Sequence, residues 1–169
     1  KTRFHDFDLP PPLLHAIYDL GFEYCTPIQA EILPSTLSGK DASGRAQTGT
    51  GKTAAFLITV LTRLLNNPIQ GKRKPGTPRV LILAPTRELA IQVAEACQTY
   101  ARHLPNFHVL PIYGGQAYGI QLRQLQRGAQ VVVIDPRRTA TAKLAEAEAE
   151  VVMDAVMRLV VRLRGAMIP

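Results

Sequence analysis

Short β-branched runs and stretches of helical apolar spacing alternate along most of this chain. Pro12 to Leu20 reads as a short helix stopped by Gly21, and Pro27 to Leu37 as a second. A longer helix is predicted from Lys52 to about Leu65. Val80-Leu-Ile-Leu83 is wholly apolar, as expected of a strand buried on both faces. A helix from Arg87 to about Arg102 follows, then a strand over Val109–Ile112, a helix over Tyr118–Arg127 and a strand over Val131–Ile134. Strands alternating with helices predict an α/β fold: a parallel sheet with helices on both faces. Ligands of such sheets sit at the carboxyl ends of the strands. One expected strand is poorly written. Asp41-Ala-Ser-Gly44 stands where a central apolar strand belongs, yet Ser43 and Gly44 suit a strand interior badly.

With 169 residues the chain fits one domain, and its balance of 46% hydrophobic to 20% charged residues excludes a disordered or fibrous class. A formal net charge of +7 changes the picture more, because it favours a polyanionic partner, of which nucleic acid is the usual one. Lys72, Arg73 and Lys74 form a basic run flanked by Gly71, Pro75 and Gly76, a composition that reads as a connecting loop. Cys25 and Cys97 are isolated, so neither a disulfide framework nor a cysteine metal site is expected. His5, His15, His103 and His108 show no metal-ligand spacing. With no apolar run of membrane-spanning length and no signal-peptide core, a cytoplasmic protein without a membrane partner is expected.

The densest chemistry lies in Ala46-Gln-Thr-Gly-Thr-Gly-Lys-Thr53, which follows the phosphate-loop pattern G-x-x-x-x-G-K-[ST] with Ala46 in place of the first glycine. Gly49 and Gly51 let backbone N–H groups curl around phosphate oxygens. Lys52 reaches the β- and γ-phosphates, and the Thr53 hydroxyl can ligate Mg2+. The helix that begins beside Gly51 adds its positive end to the same anion site.

Further segments accompany this loop in a fixed order. Gly21-Phe-Glu-Tyr-Cys-Thr-Pro-Ile-Gln29 precedes it, with Phe4 a further 17 residues ahead of Gly21. Pro85-Thr-Arg-Glu-Leu-Ala90 follows the strand at Val80, and Gly114-Gly115 the strand at Val109. Together they resemble the amino-terminal RecA-like domain of DEAD-box ATP-dependent RNA helicases, over about residues 4–134. The resemblance implies a single RecA-like nucleotide-binding domain over 1–169: an adenine-recognition segment (1–40), a phosphate-loop core (41–134) and a divergent carboxyl-terminal segment (135–169). It implies ATP and Mg2+ as cofactors. By resemblance Gln29 reads adenine, its amide able both to donate and to accept; Phe4 packs near the base, and Thr26 belongs to the same element. Thr48, Gly49, Thr50, Gly51, Lys52 and Thr53 hold the phosphates. Thr86, Arg87, Gly115, Gln116 and Arg138 fall where the family contacts the RNA backbone, a readout blind to base sequence. Without the resemblance, Arg87 could equally be a helix-start residue paired to Glu88 or Glu95, and Phe4 simply core.

After Ile134 the chain departs from the family pattern. Asp135-Pro-Arg-Arg138 stands where Thr-Pro-Gly-Arg is expected, and Asp135 would set a carboxylate against an approaching phosphate. Val151-Val-Met-Asp154-Ala-Val-Met157 falls where the family carries an apolar strand and Asp-Glu-Ala-Asp. There Asp154 keeps a role at Mg2+ and in catalysis beside Lys52, while Ala155 and Met157 replace two carboxylates. The same residues also fit one amphipathic helix from about Thr139 to Arg164, since Leu144, Val152, Val156, Leu159 and Leu163 recur at helical spacing. Either way the sheet is expected to be incomplete at its carboxyl-terminal end. A second RecA-like domain is expected to be absent from this chain, and an exposed sheet edge to invite self-association. The expected function is therefore binding of ATP-Mg and RNA with poor hydrolysis and unwinding by this chain alone. The alternatives are a non-catalytic RNA- or protein-interaction module with a vestigial pocket, and a small-molecule kinase, which would leave Gln29 and Arg87 without a role.

Overall fold

A computed structural model describes residues 1–45, 47–71, 76–135, 152–154 and 158–160. Among the described residues five α-helices and five strands follow one another as α1 (Pro11–Asp19), α2 (Pro27–Leu37), α3 (Lys52–Asn66), β1 (Val80–Leu83), α4 (Arg87–Tyr100), β2 (Val109–Ile112), α5 (Tyr118–Gln126), β3 (Val131–Ile134), β4 (Val152–Asp154) and β5 (Arg158–Val160). A 3-10 turn at Phe4–Asp6 precedes them. The sheet is parallel with spatial order β1-β3-β2, Val80 and Val109 both in register with Val131. The last strand of the three is thus inserted between the first two.

Strand periodicity sorts the core into two layers. Val80, Ile82, Val109, Val131 and Val133 point to the face covered by α1, α3 and α4, where Leu13, Leu57, Ile58 and Val93 meet them. Leu81, Leu110, Ile112, Val132 and Ile134 point to the other face, where Leu125 of α5 and Ala129 lie. Both faces are therefore dry, which is why β1 and β3 carry no polar residue. None of the described helices is long and apolar enough to cross a membrane.

Two expectations at the ends of the sheet are corrected. Residues 41–45 form no strand, as expected of a segment with small, polar Ser43 and Gly44 and no β-branched residue to pack on a pleated surface. At the other end, Val152–Asp154 and Arg158–Val160 pair antiparallel, Met153 opposite Leu159, in a separate two-stranded sheet. Two strands within 152–160 exclude one continuous helix over Thr139–Arg164; the β-branched Val152 and Val160 favour extended backbone. The basic run at 72–74 lies outside the described residues.

Cys97 on α4 packs in the larger core layer with no exposed surface, and burial pushes its thiol up to about 12. Cys25 is half-buried and pushed up to about 11 by burial and by the charge of Asp6. The thiolate is the reactive form, so at pH 8 a maleimide is expected to leave Cys97 unlabelled in the native chain and to label it in denaturant. Rapid stoichiometric labelling of native Cys97 would contradict this packing.

Candidate nucleotide and RNA site

The phosphate loop is held from both of its ends. Gly51 is the N-cap of α3 at φ +89°, a left-handed backbone that side chains disfavour, and Lys52 and Thr53 are the first helical residues. Downstream, Leu57, Ile58, Leu61 and Leu64 bury the helix against the sheet, so the N–H groups at its start point in a fixed direction. Thr48, Gly49, Gly51, Lys52 and Thr53 line a cleft of about 630 Å³ that also takes in Thr26 and Gln29 from α2 and its cap. Thr50 serves the loop instead, its hydroxyl donating to the Gln47 carbonyl at 2.7 Å. Ala46 lies outside the described residues.

Gln29 couples the two walls of this cleft. Only 5% exposed, it donates through Nε2 to the Gly51 carbonyl at 3.1 Å and accepts at Oε1 from the Thr26 backbone N–H at 2.9 Å. An amide has two donors and two acceptor sites, so each end keeps one in reserve. The approach is so close that a Cβ on Gly51 would force the Gln29 amide to shift, in addition to the backbone cost at that φ. Thr26 Oγ1, in the same wall, is buried without a hydrogen-bond partner. Such an orphan costs about 1–3 kcal/mol, and a polar ligand edge in the cleft would satisfy it. These features fit a nucleotide: an amide with spare capacity, an unpaired buried hydroxyl, and a glycine-lined helix start beside a lysine.

Phe4 does not belong to this wall. It is 2% exposed and packs in the larger core layer, because the bridge between Arg3 and Tyr24 pulls its 3-10 turn against the body of the domain. Three aromatics line the cleft instead, Phe56, Tyr100 and the most exposed of them, Phe22, at 48%. Its signal in the sequence is its place inside the Gly21–Gln29 segment.

Ala84 and Pro85 close the far side of the cleft, and the next residues turn outward as a second surface. Thr86 caps α4, its hydroxyl accepting from Leu89 N–H at 3.2 Å. Arg87 is exposed and makes no ion pair with a described residue; its guanidinium lies over the Tyr113 ring, 4.7 Å from the centroid. Gly115, at φ +91°, brings its backbone beside Arg87 Nη1, which is 3.7 Å from where a Cβ would stand. Gln116 Nε2 donates to the Tyr113 hydroxyl at 2.5 Å. Gln121, 2% exposed, donates through Nε2 to the Tyr113 carbonyl at 3.0 Å and to Gln116 Oε1 at 3.2 Å. Thr86, Arg87, Gly115 and Gln116 are thus on the loops that leave the carboxyl ends of β1 and β2. Tyr113 and Gln121, which join them, were not singled out in the sequence, and nothing local marks a helical glutamine as buried.

Asp135 corrects a further expectation. It is 1% exposed, with its backbone N–H bonded to the Ile112 carbonyl, so its carboxylate is not displayed to a passing phosphate. Asp154 ends β4, and Arg138 lies outside the described residues. Among the described residues no group of three or more histidine, cysteine or acidic side chains could hold a metal ion.

The comparisons with known proteins agree with one another. The DEAD/DEAH box helicase family model matches residues 26–161. The ATP-dependent RNA helicase RhlB of Pseudomonas aeruginosa is 53% identical over 139 residues, and the ATP-dependent RNA helicase DeaD of Escherichia coli 48% identical over 138. Each match covers 82% of this chain but only 35% of RhlB and 21% of DeaD, so the chain spans about a third of the one relative and a fifth of the other. Among solved structures, the ADP-bound RNA helicase Prp28 of Chaetomium thermophilum superposes with a TM-score of 0.65 at 38% identity, covering 75% of this chain and 30% of that one. On fold, phosphate loop and ordered motifs alike, the chain belongs to the DEAD/DEAH box helicase family, as its amino-terminal RecA-like domain.

Proposed function

We propose that this domain binds ATP with Mg2+ in the cleft between α2 and α3 and the backbone of RNA across the carboxyl ends of β1 and β2. The observation that carries the reading is the Gln29–Gly51 hydrogen bond. It ties the amide that would read the base to the loop that would hold the phosphates, so one ligand can engage both. Lys52 would meet the β- and γ-phosphates, Thr53 and Asp154 would hold Mg2+, and Thr26 Oγ1 would find its missing partner in the base. ATP supplies the phosphoryl group whose transfer to water drives the family's cycle. Arg87, Gly115 and Gln116 would contact phosphates rather than bases.

Hydrolysis by this chain is proposed to be weak. Ala155 takes the position of the glutamate that would activate the attacking water, and Met157 that of the last aspartate; losing a general base costs about 10²–10⁴-fold in rate. Unwinding by these 169 residues alone is proposed to be weak as well, since they span only 35% of RhlB and 21% of DeaD. The domain acts in the cytoplasm, and it self-associates through β1. Among the described residues β1 is an edge strand with no proline or charge to blunt it, whereas the other edge, β2, carries Pro111.

Thermal unfolding in Mg2+-ATP and in Mg2+-GTP tests the nucleotide reading. ATP is expected to raise the midpoint at concentrations where GTP does not, because guanine presents the O6 acceptor where adenine presents the N6 donor that Gln29 Oε1 would accept from. No shift with either, in a chain that still binds RNA, would favour the interaction module that Ala155 and Met157 suggest. Robust duplex unwinding by the chain alone would overturn the weak-activity reading.

A further inference from the structure

Arg87 is held in an unusual way for an exposed cation. Its partner is a ring face, not a carboxylate, although Glu88 adjoins it and Glu95 follows on the same helix. With a ring face rather than a carboxylate as its partner, a guanidinium keeps an N–H edge that a phosphate can take with two bonds at once. A carboxylate partner would occupy that same edge. The ring itself is fixed at both ends. Its hydroxyl accepts from Gln116 Nε2, and its backbone carbonyl accepts from buried Gln121 Nε2, which also holds Gln116 Oε1. Gly115 lies beside Arg87 Nη1 on the same loop. Four side chains from the start of α4, the loop after β2 and the first turn of α5 therefore form one unit whose outer edge is the arginine.

We propose that Tyr113 is a positioning residue for RNA: its ring, locked by Gln116 and Gln121, presents Arg87 to a phosphate in an orientation the side chain would otherwise lose affinity to adopt. The inference rests on the RNA-binding reading above. Tyr113 does not contact RNA by this account; it acts through Arg87.

The test uses a fluorescein-labelled 20-nucleotide oligo-uridine and this chain, titrated at several KCl concentrations. Arg87→Ala removes a phosphate contact, so the slope of log affinity against log salt should flatten by about 0.7, the value per neutralised phosphate on a single strand. Tyr113→Leu changes no charge. It is nonetheless expected to flatten the slope by the same amount and to weaken binding about tenfold, and Tyr113→Phe, which keeps the ring face, to restore the slope. Arg87→Ala combined with Tyr113→Leu should bind no more weakly than Arg87→Ala alone, since both remove the same contact. Binding by Tyr113→Leu with an unchanged slope, or additive losses in the double variant, would overturn the inference while leaving RNA binding intact. Failure of the unsubstituted chain to bind the oligonucleotide would instead overturn the RNA reading, and this inference with it. Tyr113→Phe and Tyr113→Leu are both expected to unfold cooperatively, so that the slopes report on Arg87 and not on a lost fold.

Discussion

Lys52→Ala is expected to abolish the stabilisation that Mg2+-ATP gives this domain while leaving the ligand-free midpoint nearly unchanged. Lys52 is the first residue of α3, half-buried and lining the cleft. Alanine is the best helix former, and a positive side chain at a helix start opposes the helix dipole, so the ligand-free cost should stay within about 1 kcal/mol. The ligand term is larger. At about 100 times its Kd a ligand stabilises the folded state by roughly 2.7 kcal/mol. For a chain of this size each kcal/mol moves the midpoint by about 2–4 °C, so the unsubstituted chain should shift by about 5–10 °C and the variant by almost nothing. A variant that kept the full shift would mean that the bound nucleotide does not place its phosphates at Lys52.

Gly51→Ala should produce the largest loss of ligand-free stability of any single change in the loop. A non-glycine residue in the left-handed region costs about 1–2 kcal/mol, and Gly51 sits at φ +89°. The new Cβ would also strike Gln29 Nε2. Displacing that buried amide breaks its bond to the Gly51 carbonyl, worth about 1–3 kcal/mol when a buried partner is stranded, for a total of about 2–5 kcal/mol. Gly49→Ala is the control. Gly49 has a similar φ, +81°, but a Cβ there meets nothing within 4 Å, so only the backbone cost of about 1–2 kcal/mol applies. Adding Gln29→Ala to Gly51→Ala removes the collision partner, so the double variant should lose less than the two single losses combined. Equal denaturation curves for Gly51→Ala and Gly49→Ala would show that Gln29 does not press on the loop as described.

Gln29 also shows where reading a sequence stops. Its helix, Pro27–Leu37, and the loop at Gly51 could each be assigned from local signals: a proline at the first helical turn, paired glycines before a lysine. The hydrogen bond between them joins residues 22 apart, and no local pattern specifies it. Phe4 and Phe22 make the same point. Both are aromatic and both lie ahead of Gln29, but only packing decided that Phe4 fills the core and Phe22 lines the cleft. Arg87 could have paired with Glu88 or Glu95; its partner is Tyr113, on another loop.

Periodicity determined the rest. Continuous apolar runs at Val80–Leu83 and Val131–Ile134 require strands buried on both faces, and 3.6-residue spacing between them requires helices to cover those faces. These are local consequences of which side chains avoid water, so the sequence alone determined the α/β class, the bounds of β1, β2 and β3, and the phosphate loop. The order β1-β3-β2, the burial of Asp135 and Gln121, and the pairing of β4 with β5 depend on contacts between segments far apart in the chain. Periodicity says which face of an element is buried but not against what, and only the tertiary structure supplied the partner.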